Sequence, residues 1–413
     1  MPHLSQFAPL ALVLLVAGCV SHPSSQVVQS KAAPGAIPIQ AAVRQAVTRL
    51  DGRVLTPDSV ERIVTSAMHR ADVPALAVAI ISHGEIAYMG GFGYRDVAAR
   101  LPLTDTTVMY AASLTKAMFA YLVLQLVRDG TLVLDTPIGS YLPKPLPEYE
   151  KYNDLASDPR WRLFTPRMLL SHTSGLPNWR FLRADEKLNI NFEPGTRYSY
   201  SGEGINLLQF VIELHTGTEV GDMMQTRVFK KLGMTRTQMT WNPAFESEYA
   251  LGYDSLDAPV RHRRRNAARA AGSADTDVAD MAQFLRAVLR QEGPDANLYR
   301  GMLSPQIRIH SLHEFPAPSS TTTDRDDAIA LSYGLGWGLY QSRFGPAFFK
   351  EGHDDQSWRN VMVGFNDSKT GVVFLSSSAH AEPMFPVLLA ELIGDTDLPA
   401  EWMGYGSPEH VPK

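Results

Sequence analysis

From Ala117 to Val127 the chain reads AMFAYLVLQLV, apolar on every face of a helix except at Gln125. A helix without a polar face cannot lie on a surface, so this segment needs other elements around it on all sides. Gly130 suits the left-handed position that ends such a helix. The 413 residues, 45% of them hydrophobic, can bury a core of that size, and length alone suggests roughly two or three domains.

At the start of this helix stands Tyr110-Ala-Ala-Ser113-Leu-Thr-Lys116. A spacing of three puts Lys116 on the same helix face as Ser113, one turn later. A serine hydroxyl is a poor nucleophile until a base removes its proton, and burial disfavours the charged form of lysine, which makes Lys116 a candidate base. The N–H groups of a helix N-terminus can meet a developing oxyanion. Ser-x-x-Lys arises by chance about once in a chain this long. This is the one copy present, and a plain helix cap at Ser113 remains the alternative.

Net charge is −5 and no long block of like charge occurs, so nucleic acid is not an expected partner. The single cysteine, Cys19, lies at the end of the apolar stretch Ala8 to Val20, directly after the tripeptide Val16-Ala17-Gly18. That stretch is too short to span a bilayer but fits a signal-peptide core. The cysteine sits as in a bacterial lipobox, although the segment before it has His3 and no Lys or Arg. The expectation is export, cleavage after residue 18, lipidation at Cys19 and an outer-membrane anchor facing the periplasm, since Val20 is not the aspartate that retains such proteins in the inner membrane.

Residues 1–19 are thus a leader. Residues 20–50 follow as a Ser-, Pro- and Ala-rich tether with a helix over 41–50, and a second helix begins at Thr56-Pro57-Asp58, a cap with proline at the first position. Residues 73–88 give two strands around a Gly84 turn. The globular domain runs over 51–395 and a tail over 396–413. His310-x-x-His313-Glu314 has metal-like spacing but no further ligands nearby, and no metal or other cofactor is expected. The arginines 261, 263, 264, 265 and 269 form a basic run that reads as a solvated face, or as a receptor for an acidic group.

Ser113 to Lys116, with TPRMLLSHTSGLPNW at 165–179, FEPGTRYSYSGEGINLLQFVIELHTG at 192–217, VFKKLGM at 228–234 and YGLGWGL at 333–339, resembles the class C β-lactamase-related serine hydrolases. That group includes β-lactamases, D-Ala-D-Ala carboxypeptidases, D-aminopeptidases and esterases. The resemblance implies a mixed α/β transpeptidase-like fold: an antiparallel sheet flanked by helices, with an all-helical insertion at about 140–280.

It also implies site residues. The Tyr-x-Asn motif of the family falls on Tyr200, because the Pro194-Gly195 turn and Leu207-Leu208 lie at the family distances from it. Tyr200 would move a proton between Ser113 and the leaving group. Gly202 then replaces the asparagine that contacts the lysine and the amide of β-lactams, which weakens a β-lactamase reading.

The third motif falls on His353, as His-x-Gly with Asp355 in place of glycine, and the N–H of Gln356 would be the second oxyanion donor after that of Ser113. With Glu351 and Asp354, three carboxylates lie near His353; one facing the cleft would favour a neutral or cationic substrate. The more obvious Lys369-Thr370-Gly371 reads as a hairpin turn downstream of the motif strand. His172 reads as structural.

The implied reaction is hydrolysis of an ester or a peptide bond in a small-molecule or peptide substrate, through an acyl-enzyme on Ser113 in a monomeric chain. β-Lactamase or D-Ala-D-Ala carboxypeptidase activity is the second reading, and a catalytically silent lipoprotein that binds cell-wall peptides is a third of another class.

Overall fold

The computed structural model describes residues 37–317 and 321–406; the leader, Cys19 and most of the tether lie outside the described residues. A single large sheet runs through the described residues and positions the other elements. Its strands are β1 (Ile39–Arg44), β2 (Ala75–Ser82), β3 (Glu85–Asp96), β4 (Ile307–Arg308), β5 (Ser332–Tyr333), β6 (Gly338–Ser342), β7 (Gly345–His353), β8 (Arg359–Phe365) and β9 (Thr370–Ser376). They lie in the order β1–β3–β2–β9–β8–β7–β6–β5–β4, each neighbouring pair antiparallel.

Both faces of the sheet are covered, which is why β2 reads as an unbroken apolar run. Ala75, Ala77, Ala79 and Ile81 enter the core on one face, while Leu76, Val78 and Ile80 enter the core on the other, as the two-residue period of a strand requires. The second face packs against α1 (Pro57–Ala71) and α5 (Phe385–Leu392), which also touch one another. Helix α1 starts as expected: the Thr56 hydroxyl accepts from Ser59 N–H, and Val60, Val64, Ala67 and Met68 form its buried stripe.

The first face carries α2 (Leu114–Arg128), whose residues from Leu114 to Leu126 are all buried, together with α3 (Gly202–Thr216) and α4 (Val278–Leu289). The helix without a polar face is therefore surrounded, as its sequence demands.

Two expectations are corrected. Residues 41–50 contain no helix: β1 is an edge strand on β3 with alternating exposure, and Val47–Thr48 pairs with Val54–Leu55. The helix preference of alanine, a fraction of a kcal/mol per residue, is outweighed by the backbone bonds that an open sheet edge offers. The 140–280 insertion is not all-helical, since Gly252–Tyr253 pairs with Pro259–Val260 and Asp275–Thr276 with Met109–Tyr110. Within the tail, residues 396–406 are packed: Trp402 lies on Phe349 and Tyr405 on Phe385, and both the tryptophan and the tyrosine are buried.

Candidate active site

Ser113 precedes the first turn of α2, and the backbone that brings it there is held on both sides. Ala111 N–H donates to Ala274 O (2.9 Å), and the Thr115 hydroxyl donates to Ala112 O (2.6 Å) while accepting from Ala274 N–H (3.2 Å). Ala112 between them has φ +48°, a left-handed conformation that costs a non-glycine residue about 1–2 kcal/mol. The N–H of Ser113 has no partner among the described residues.

Lys116 is fully buried, its Nζ 2.9 Å from Ser113 Oγ and 2.6 Å from the carbonyl oxygen of Ala271. The Ala271 carbonyl supplies the polar neighbour that Gly202 cannot. It is placed by the pairing of Asp275–Thr276 with Met109–Tyr110 and by Tyr110, whose hydroxyl donates to Gly272 O at 2.6 Å. Burial first, and then the nearby Lys350 ammonium, push the Lys116 amine well below the usual lysine range, against the opposing pull of Glu351 and Glu314. A neutral amine with one N–H on Ala271 O can turn its lone pair to the serine hydroxyl.

Tyr200 is buried beside this pair, with Ser113 among its hydrogen-bonding neighbours and Lys116 Nζ 4.8 Å from its ring centre. Tyr198 faces away, its hydroxyl 3.3 Å from a Glu314 carboxylate oxygen, so Tyr200 is the tyrosine of the site. His172 is buried with φ +57°; its Nδ1 accepts from Ser201 N–H (3.2 Å) and its ring lies 4.4 Å from that of Tyr200. Burial, Lys116 and Lys350 hold it neutral, as a support under Tyr200.

Gly202 has a tertiary cause. A Cβ there would lie 2.4 Å from Cη2 of Trp179, so the indole occupies the space that an asparagine side chain would need.

On β7, His353 lines the cleft, half-buried, in edge contact with Phe315 (5.4 Å) and with Nδ1 3.6 Å from Glu382. Burial pushes its imidazole down to about 4 and pushes the Glu382 carboxyl up to about 7. The Gln356 expectation is not met: its N–H donates to Asp354 Oδ1 (3.0 Å), as do those of Ser357 and Trp358. Asp354 is the cap of this turn, and Asp355 N–H is left without a partner among the described residues. Lys369 is exposed in the turn between β8 and β9, where its carbonyl oxygen accepts from Gly84 N–H, and it takes no part in the site. His310 pairs with Asp327 rather than with His313.

The cleft above Ser113 has a volume of about 860 Å³. Glu351, Asp354 and Asp355 are among its lining residues, and so are Arg263, Arg265 and Arg269. Arg265 is stacked over the Tyr110 ring at 3.6 Å, whereas Arg263 and Arg269 form no ion pair among the described residues. The carboxylates expected near His353 do line the cleft, and the arginines keep it from being uniformly acidic.

Sequence reasoning missed Lys350, three residues before His353. It is fully buried, ion-paired with Glu351, and 3.3 Å from the Tyr200 hydroxyl. The signal was Lys350-Glu351-Gly352, a Lys-x-Gly spacing inside the apolar strand FFKEG.

A family model described as Beta-lactamase matches residues 60–392. Among characterised proteins, the chain is similar to esterase EstB of Burkholderia gladioli, 32% identical over 45% of this chain and 52% of that one. It is also similar to the D-aminopeptidase of Brucella anthropi, 27% identical over 65% of this chain and 49% of that one. The chain spans about half the length of these two relatives. The solved octameric penicillin-binding protein homologue from Pyrococcus abyssi superposes with a TM-score of 0.67, covering 82% of this chain and 78% of that one at 24% identity, and so shares the fold.

Proposed function

Since the chain belongs to the β-lactamase family of serine hydrolases, matched over 60–392, we propose that it hydrolyses a carboxylic ester or a peptide bond through an acyl-enzyme on Ser113. The observation that carries this reading is the buried Lys116 amine 2.9 Å from the Ser113 hydroxyl.

Lys116 Nζ takes the Ser113 proton as Oγ bonds to the substrate carbonyl carbon, and the carbonyl electron pair moves onto oxygen, where Ser113 N–H meets it. Collapse breaks the bond to the leaving group, which takes up a proton through Tyr200 while Lys116 replaces the one Tyr200 gave. Water then repeats the sequence on the acyl-enzyme, with Lys116 and Tyr200 as its proton acceptor and donor, and releases the acid.

Trp179 in the place of an asparagine side chain supports ester or simple peptide substrates over penicillins, because residue 202 itself offers no amide to an acylamide group and the neighbouring Asn178 amide oxygen is taken by the Gly202 N–H (3.1 Å). The test compares kcat/KM for short-chain phenyl esters, a penicillin and a D-Ala-D-Ala peptide. Faster turnover of esters is expected. A penicillin turned over faster than any ester would reverse the order of the two readings, and binding of peptides with no turnover of any substrate would replace both with the silent-receptor reading.

The apolar stretch before Cys19 supports export and lipid anchoring to the outer membrane, with the cleft in the periplasm; a monomeric chain is part of the same proposal. Palmitate labelling that is lost on Cys19→Ser, and elution of the Cys19→Ser protein at 46 kDa or below, would be the expected results.

A further inference from the structure

The loop 261–269 borders the cleft but takes no part in the proton transfers at Ser113. It is held along its length. His262 Nε2 lies 2.8 Å from Asp275 Oδ1, Trp241 N–H donates to Arg265 O (2.7 Å), and Arg269 N–H donates to Ser273 Oγ (2.9 Å). Just beyond it, Ala270 N–H donates to Gln209 Oε1 of α3 (2.7 Å). The arginines of the loop therefore stand on fixed backbone, which lowers the ordering cost when a ligand arrives.

Arg263, Arg265 and Arg269 line the cleft, whereas Arg264 between them does not and is ion-paired with Glu246. Arg265, stacked on the Tyr110 ring, has Nη1 3.4 Å from Asp275 Oδ1, and its Nε and Nη2 have no acceptor among the described residues. Tyr110 stands three residues before Ser113, and its hydroxyl donates to Gly272 O, next to the Ala271 carbonyl that holds Lys116. One aromatic ring thus joins the Arg265 guanidinium to the chain that carries the nucleophile.

The remaining charges of the cleft set the sign of its ligand. Arg183 is paired with Asp185, Glu351 is paired with Lys350, and Asp354 Oδ1 accepts three backbone N–H groups. Arg263, Arg269 and the exposed Asp355 are left in no ion pair among the described residues. Two free guanidinium groups and a third with open donors outweigh one carboxylate, and each fork matches a carboxylate or phosphate with two parallel N–H bonds. Asp355 lies on the turn after β7, so an anion is drawn to the loop 261–269 and away from that turn. The same cleft has an apolar wall: Phe181 and Leu182 line it while 59% and 67% exposed. Large apolar side chains left in water beside a cleft mark the place of an apolar ligand part.

We propose that the loop 261–269 is a subsite for an anionic group, a carboxylate or a phosphate, on a substrate whose apolar part covers Phe181 and Leu182. The proposal rests on the serine hydrolase reading and names the substrate class within it.

The test measures kcat/KM for phenyl butyrate and for the same ester bearing a meta-carboxylate, meta-phosphate or meta-trimethylammonium group on its ring. Monophenyl adipate against phenyl hexanoate places the anion on the acyl part instead. At low salt at least one anionic ester should exceed its neutral counterpart by roughly tenfold, and the ratio should shrink toward one at about 1 M salt, where charges act over only about 3 Å. The faster of the carboxylate and phosphate esters identifies the anion. Arg263→Gln/Arg269→Gln removes two exposed side chains that hold nothing else, so it should stay folded in thermal denaturation and bring the ratio to within about twofold of one. Arg264→Gln, which removes a like charge outside the cleft, should keep the parental ratio.

Hydrolysis of the esters without an anionic preference, or a preference that survives Arg263→Gln/Arg269→Gln, overturns the subsite and leaves the hydrolase reading intact. An unchanged ratio in that variant together with lost binding to phosphatidylglycerol vesicles assigns the arginines to a membrane surface, and also overturns it. A parent protein that hydrolyses none of the esters overturns the hydrolase reading, and the proposal with it.

Discussion

The contact between Gly202 and Trp179 sets the cost of any side chain at position 202. A Cβ on residue 202 would lie 2.4, 2.6 and 2.7 Å from Cη2, Cζ3 and Cζ2 of the indole. Carbon atoms rest at about 3.5 Å or more, so the ring must retreat by about 1 Å. It cannot do so alone, because it is stacked on Phe181 with centroids 5.8 Å apart and lies over Lys116 Nζ at 5.7 Å.

Overpacking of this kind costs about 1–3 kcal/mol, against which loss of a helical glycine returns about 0.5–1 kcal/mol. Gly202→Asn should thus lower stability by about 1–2 kcal/mol in the parent. In a Trp179→Ala background the space is empty, and the same change should be neutral or stabilising. The assay is urea denaturation of all four proteins of the cycle, giving a coupling energy of at least about 1 kcal/mol. Labelling by a fluorescent penicillin adds a functional readout: it should quicken in the double variant and not in Gly202→Asn alone. A coupling energy below about 0.3 kcal/mol would refute the idea that the indole is what excludes a side chain at 202.

Glu382 and His353 should offset one another in acid. Glu382 is raised to about 7, so the folded state holds more protons than the unfolded chain above about pH 4.5, and its contribution falls as pH rises to 7; His353 is lowered to about 4, so its contribution rises with pH from 4 to 6.5. Glu382→Gln removes only the first, and the urea midpoint of that variant should climb with pH between 4.5 and 6.5 more steeply than the parent's; an equal slope would contradict the assignment. Asp354→Ala strips the acceptor from three backbone N–H groups and should cost about 1–3 kcal/mol in denaturant unfolding, while a cost near zero would mean the turn does not depend on it. Asp355→Gly changes an exposed position and should leave stability within about 0.5 kcal/mol while lowering KM for carboxylate-bearing esters relative to neutral ones; an unchanged ratio would remove Asp355 from substrate selection.

The parts of the site legible in the sequence are those fixed by local geometry. Ser113 and Lys116 are three residues apart on one helix, and the helix declares itself by being apolar all round. Tyr200 could be chosen over Tyr198 by its distances to a turn and to a leucine pair, and Lys369 could be set aside because a turn former precedes it. What escaped depends on groups distant in sequence meeting in space. The contact of Lys350 with the Tyr200 hydroxyl joins residues 150 apart, the missing asparagine is explained by an indole 23 residues upstream, and the Ala271 carbonyl reaches Lys116 only because Asp275–Thr276 pairs with Met109–Tyr110. Gln356 failed for a smaller reason: Asp354 can turn back and take its N–H. In β1 the residues themselves were ambiguous, and an available sheet edge decided the outcome.

Everything proposed for the cleft depends on Ser113 being the nucleophile and Lys116 its base. Intact-mass and peptide-level mass spectrometry after fluorophosphonate treatment reads both roles at once. One phosphonyl group per chain, located on Ser113, absent in Ser113→Ala and slowed at least about a hundredfold in Lys116→Met, is the predicted result. An unmodified chain, or a label on another residue that survives Ser113→Ala, would contradict it.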